Sequence, residues 1–328
     1  MPTNLPAEAL DAEKRYRAAE STAEKIACLE EMLSYIPKHK GTDRLRSDHR
    51  RKLSKLKAEA NARKGTGKRE SPFRISKEGP GQVVLVGSPN TGKSALVATL
   101  TNANPKVSQA PFTTWVPMPG MMPIDDVQVQ LVDTPPLHKD HIEPELIDMI
   151  RRSDLILLVV DLQTYPIKQL EETIALLEAN RIVPLHLKEH YADQERLTFV
   201  PLLVLVNKYD DESFDEDFEI LCELLEGDWP LIPVSASTGR NLESMKQAVF
   251  QQLEIIRIYS KPPGKPADMT APYVVKKGTT LEELARKVHK DFSEKLKTAR
   301  LWGTGVHNGQ MVGREHVLHD GDIVELRI

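Results

Sequence analysis

Cysteine is scarce: Cys28 and Cys222 are the only two in 328 residues. They stand too far apart for a disulfide framework, and no Cys/His cluster has the spacing of metal ligands. Both read as reduced thiols, which fits a cytoplasmic protein. Long apolar runs are missing as well. LILLVV (155–160) and PLLVLV (201–206) fall far short of the roughly 18 residues a membrane-spanning helix needs, so no membrane partner is expected. No apolar stretch follows Met1, and no secretory leader is expected. Acidic residues are scarce in one segment only. Residues 37–77 hold about 15 Lys and Arg against about 4 acids, although the whole chain carries a net charge of -4. That contrast predicts an appendage whose partner differs from that of the body.

What is present divides the chain into three. Residues 8–36 carry apolar positions near three- and four-residue spacing (Tyr16, Ala19, Ala23, Ile26, Leu33, Ile36), which predicts an amphipathic helix stopped by Pro37. A second helix over about 43–63 shows a narrow stripe of Leu45, Leu53, Leu56 and Ala60 on a basic surface. Together with the polar linker KGTGKRESP (64–72) they make a basic helical hairpin over 1–78. From Gln82 onward, short apolar strands (VVLVG, VQVQLVD, LILLVVD, LLVLVN, LIPVS) alternate with helices at about 92–102, 142–152, 166–179, 214–226 and 241–258. This alternation predicts an α/β domain over 80–260, with a doubly wound, mostly parallel sheet. Ligands of such sheets sit at the carboxyl ends of the strands. The Pro-rich KPPGKPADMTAP (261–272) reads as a stiff boundary. Beyond it, over 268–328, a strand, a helix opened by the capping box Thr280-x-x-Glu283 and three short strands predict a small α+β module.

The motifs fall at the strand ends. GSPNTGKS (87–94) follows a strand and opens a helix, as a phosphate-binding P-loop does. Gly87 and Gly92 let backbone amides wrap phosphates; Pro89, Asn90, Thr91 and Ala95 complete the candidate contacts. Lys93 is the candidate to reach the β- and γ-phosphates, and the Ser94 hydroxyl to ligate Mg²⁺. VNKYD (206–210) is the candidate for base recognition. The Asp210 carboxylate can accept two parallel hydrogen bonds from the ring N–H and exocyclic amine of guanine, a pair adenine lacks. Asn207 would tie this loop to the P-loop, and the Lys208 stem would cover the base. In VSAS (234–237), the Ala236 amide would donate to the guanine O6, with Ser235 and Ser237 beside it. APFTTWVPMPG (110–120) offers Thr113 and Thr114 to complete the Mg²⁺ shell. These readings predict GTP and GDP as ligands, with Mg²⁺.

GSPNTGKS, PFTTWVPMPG, DTPPL, NKYD and SAS resemble the Obg-like GTPases, and especially the developmentally regulated GTP-binding (DRG) subfamily. IRIYSKPPGKP (256–266) and the closing VGREHVLHDGDIVELRI resemble that subfamily's C-terminal TGS domain, a β-grasp module. The resemblance implies a P-loop GTPase fold and GTP hydrolysis linked to the ribosome or structured RNA, through the basic hairpin and the TGS domain. It also implies a water-mediated contact of Asp133 with Mg²⁺, and catalytic roles for Lys93, Thr114 and Asn90. Asn90 matches an asparagine that holds a K⁺ ion in several relatives. Two departures stand out. The segment 180–200 is too short for the helix-turn-helix insertion of eukaryotic members. Pro136 replaces the glycine whose amide would bind the γ-phosphate, and proline has no N–H to offer; the neighbouring Leu137 amide could substitute after a small loop shift. Leu137 stands where other GTPases carry a water-orienting glutamine, leaving His138 and His141 as candidates. Slow hydrolysis is the expectation, and the alternative is a non-hydrolysing GTP/GDP-binding scaffold. A third reading is an RNA-binding protein indifferent to nucleotide.

Overall fold

The computed structural model describes residues 15–16, 22–35, 52, 73–101, 116–137, 143–289, 296 and 298–327. Two compact units divide the chain, 1–71 and 72–328. In the first, helix α1 spans Thr22–Tyr35. Among its described residues Leu29 and Met32 are buried, with Tyr16 packed against them. The sequence stripe left out both. They lie three residues apart and so share one face of the helix. The second helix of the expected hairpin lies outside the described residues, apart from Lys52.

In the second unit a six-stranded sheet has the order β2-β3-β1-β4-β7-β8. Its strands are β1 Gln82–Val86, β2 Met118–Ile124, β3 Val127–Asp133, β4 Leu155–Asp161, β7 Leu202–Asn207 and β8 Leu231–Pro233. All neighbours run parallel except the β2–β3 hairpin. The apolar strands β1, β4 and β7 are buried at every position, as strands covered on both faces must be. Alternate side chains enter two cores. Val84, Val86, Ile156 and Leu158 face helices α3 (Pro144–Arg152) and α4 (Pro166–Ala179), which contribute Ile150, Leu170 and Leu177. Val83, Leu85, Leu155 and Leu157 face helices α2 (Lys93–Leu100) and α6 (Leu242–Gln252), which contribute Leu96, Val97, Met245 and Val249. Helix α5, Asp215–Leu224, packs Leu221 into the first core.

Sequence reading missed β2, because Pro119, Gly120 and Pro123 argue against a strand. It survives as an edge strand, where half of the backbone N–H groups have no partner to serve. A parallel pair, β5 (Ile182–Pro184) with β6 (Thr198–Val200), was also missed; each strand is only three residues long.

The C-terminal sheet has the order β10-β9-β13-β11-β12, built from β9 Ile255–Ser260, β10 Asp268–Lys276, β11 Thr298–Trp302, β12 Gln310–Val312 and β13 Asp322–Arg327. Helix α7, Leu281–Val288, buries Leu281, Leu284 and Ala285 against it, and the Thr280/Glu283 capping box forms as expected. Two expectations fail here. The helix anticipated over 241–258 ends at Gln252, and the β-branched Ile255, Ile256 and Ile258 form strand β9 instead. The Pro-rich stretch is no boundary: it turns β9 into its antiparallel neighbour β10 within one sheet.

Candidate functional site

Strand β1 lies between β3 and β4, where the chain winds in opposite directions to either side, and ligands of such sheets bind beyond the strand's carboxyl end at this point. Gly87 leaves β1 with φ 145; a Cβ there would stand 2.4 Å from the Val159 carbonyl oxygen, so only glycine fits. At Gly92 (φ 93), which caps helix α2, a Cβ would stand 2.2 Å from Asn207 Nδ2. Between them Asn90 adopts φ 61 with its side chain exposed. Thr91 is fully buried, and its hydroxyl donates to the Ser88 carbonyl at 3.1 Å.

Lys93 is 6% exposed, and its amine donates to the carbonyls of Gly87 (2.9 Å) and Ser88 (2.7 Å). Burial pushes its pKa down to about 8, against the pull of Asp133. One residue on, the Ser94 hydroxyl donates to Asp133 Oδ2 at 2.6 Å. Asp133 ends β3 and is fully buried, and its Oδ1 has no hydrogen-bond partner. Burial raises this carboxyl's pKa above the usual range, opposed by the Ser94 hydroxyl and the Lys93 charge. A hydroxyl beside a carboxylate with one unsatisfied oxygen is a hard-oxygen donor set of the kind Mg²⁺ takes. After Asp133, the Thr134 hydroxyl donates to the Leu85 carbonyl at 2.5 Å. Pro135 and Pro136 are half-buried, and Leu137 is 6% exposed within the first core.

The second half of the site begins where β7 ends. The buried Asn207 donates through Nδ2 to the Thr91 carbonyl at 2.8 Å and accepts at Oδ1 from the Ala236 N–H at 3.1 Å. One amide thus joins three loops, the first junction being the one anticipated. The second departs from expectation: the Ala236 N–H assigned to the base carbonyl is bonded to Asn207 in this structure. Asp210 Oδ1 accepts from the hydroxyls of Ser235 (2.5 Å) and Ser237 (2.7 Å). Lys208 adopts φ 66, and its amine pairs with the buried Asp161 Oδ2 at 2.5 Å. Asp161, at the end of β4, escaped the sequence reading, although an acid closing an apolar strand is a visible signal. Gln163 adds a bond to the Lys208 carbonyl at 3.0 Å. Thr113, Thr114, His138 and His141 lie outside the described residues.

Comparison with known proteins now names the class. Residues 82–208 match the family model described as 50S ribosome-binding GTPase, and residues 256–328 match the TGS domain. An uncharacterized GTP-binding protein of Methanocaldococcus jannaschii is 32% identical over 364 aligned residues, covering 93% of this chain and 92% of that protein. The chain therefore belongs to the Obg-like GTPases, in the DRG-like group with a C-terminal TGS domain, and is a guanine-nucleotide-binding protein by family. It is also similar to developmentally-regulated GTP-binding protein 1 of Xenopus laevis (26% identical; 93% of this chain, 98% of that protein). Ribosome-interacting GTPase 1 of Saccharomyces cerevisiae is 24% identical, covering 93% of this chain and 99% of that protein. Among solved structures, the YchF GTPase of Schizosaccharomyces pombe shares the fold, at a TM-score of 0.50 and 15% identity over 77% of this chain and all of that one. Among the described residues no helix is long and apolar enough to cross a membrane.

Proposed function

We propose that the protein binds GTP and GDP with Mg²⁺, hydrolyses GTP slowly, and acts as a ribosome- or RNA-associated regulatory GTPase. The observation that carries the reading is the meeting of a buried Lys93 with the Ser94–Asp133 pair at the mouth of β1 and β3. In this reading the amides of 87–95 and the Lys93 amine bind the phosphates, and Ser94 and Asp133 hold the metal. Mg²⁺ held there would neutralise charge on the β- and γ-phosphate oxygens. Asp210, oriented by Ser235 and Ser237, accepts from the guanine edge. Asn207 keeps the base loop and the phosphate loop at a fixed separation, while the Lys208 stem flanks the base. Thr114 completes the metal shell, and Asn90 is the candidate seat for a stimulating K⁺ ion.

The basic composition of 37–77 and the name of the yeast relative support a ribosomal partner. Single-turnover hydrolysis of GTP, measured with Mg²⁺ and with or without K⁺, tests the enzyme reading. Turnover above that of GTP in buffer is the expected result. A rate equal to the buffer rate in both salts would instead leave a nucleotide-binding scaffold.

A further inference from the structure

The β2–β3 hairpin runs between two places of different character. At one end, β3 delivers Asp133 to the Ser94 hydroxyl, and β2 begins just after the 110–117 segment. At the other end, roughly 23 Å away for seven extended residues, the turn Asp125–Asp126 meets the C-terminal sheet. Arg257 on β9 is the centre of that meeting. Its Nη1 donates to Asp125 Oδ2 (3.1 Å) and Asp126 Oδ1 (3.4 Å). Its Nη2 and Nε hold Asp320 Oδ2 and Oδ1 at 2.7 and 3.1 Å, in the forked geometry that only a guanidinium provides. The guanidinium carbon lies 5.0 Å from the Phe250 ring of α6. The Tyr259 hydroxyl, two residues along β9, donates to Asp126 Oδ2 at 2.5 Å.

Three carboxylates therefore converge on one cation whose side chain is 23% exposed. Without that cation the three would repel, and the hairpin tip would separate from the C-terminal sheet. The hairpin is suited to transmit such a shift. Among the described residues no strand pairs with its outer side, β2 being the end strand of its sheet. Its prolines limit how far it can bend.

We propose that Arg257 is a positioning residue for the nucleotide site: by fixing the hairpin tip against the C-terminal sheet, it sets the lengthwise position of β3 and so of the Asp133 carboxylate. The inference rests on the reading of Ser94 and Asp133 as the Mg²⁺ holders. Tyr259 assists through Asp126.

The test uses the full chain and the dissociation constant of a fluorescent GDP, measured in excess Mg²⁺ and in EDTA. For Arg257→Gln, affinity in Mg²⁺ is expected to fall about 3- to 30-fold, the range of couplings carried between distant sites, with affinity in EDTA unchanged. Arg257→Lys keeps the charge without the fork and should lie between Arg257→Gln and the unaltered chain; Tyr259→Phe should shift the same ratio by a smaller factor. A lowered melting temperature with an unchanged Mg²⁺-to-EDTA affinity ratio would mean a purely structural residue and would overturn the proposal. Should Arg257→Gln not fold, an unchanged ratio in Arg257→Lys and Tyr259→Phe overturns it equally. If the unaltered chain binds GDP equally with and without Mg²⁺, the metal reading itself fails, a result separate from any effect of Arg257.

Discussion

Lys93 illustrates what one residue contributes when its surroundings are counted. Its amine is held by two carbonyl oxygens inside the loop, and burial brings its pKa to about 8. Phosphate oxygens bound beside it would raise that value again. Nucleotide binding then takes up a proton once the free amine begins to lose it, so affinity falls as pH rises. For a free value of about 8 and a much higher bound one, the loss is about fourfold between pH 7 and 8.5. Dissociation constants for GDP across that window, at constant ionic strength, check this; a flat profile would show the amine fully charged in the free protein. Sequence reading singled out Lys93, Ser94 and Asn207 as candidates because they stand at fixed places in contiguous motifs, and the structure gathers them at the ends of β1, β3 and β7. Sequence reading did not identify Asp161 as the partner of Lys208, since the two residues meet only where parallel strands β4 and β7 end side by side.

Among the elements, the end of β3 concentrates the functional question. Pro136 has no amide to offer a γ-phosphate, and the Leu137 amide could take its place only by a shift of the loop. The structure weighs against it: the Leu137 side chain is 6% exposed in the core, and withdrawing it would sacrifice about 1.5–3 kcal/mol of burial. Pro136→Gly is therefore expected to improve the affinity for a non-hydrolysable GTP analogue relative to GDP by at least about tenfold. That is the low end of what a hydrogen bond to a charged group contributes. Titration of both nucleotides with both proteins checks it, and equal ratios would mean that another donor already reads the γ-phosphate. The elements that escaped sequence reading share a cause. Prolines hid β2, brevity hid β5 and β6, and an unbroken pattern from α6 ran over the start of β9. Each is stabilised by its neighbours rather than by its own propensity.

For the whole molecule, the proposed ribosome association should be electrostatic. The excess of cations in 37–77 predicts binding to rRNA phosphates with counterion release. Raising salt from about 50 to about 200 mM should then weaken co-sedimentation with ribosomes by about 10³-fold or more if six or more phosphates are contacted. Deleting 1–78 should abolish most of that salt dependence, and retention of the full effect would move the docking element to another part of the chain. The sequence by itself determined the fold class and where the candidate phosphate loop, the candidate base loop and the C-terminal module lie, because each is written in contiguous residues. Only the tertiary structure decided how these parts are joined. The Asn207 amide between three loops, the Asp133 oxygen left unpaired beside Ser94, and Arg257 set among Asp125, Asp126 and Asp320 are contacts between residues far apart in the chain. Periodicity and motif spacing describe neighbours along the backbone, whereas these contacts exist only once strands have paired and helices have packed.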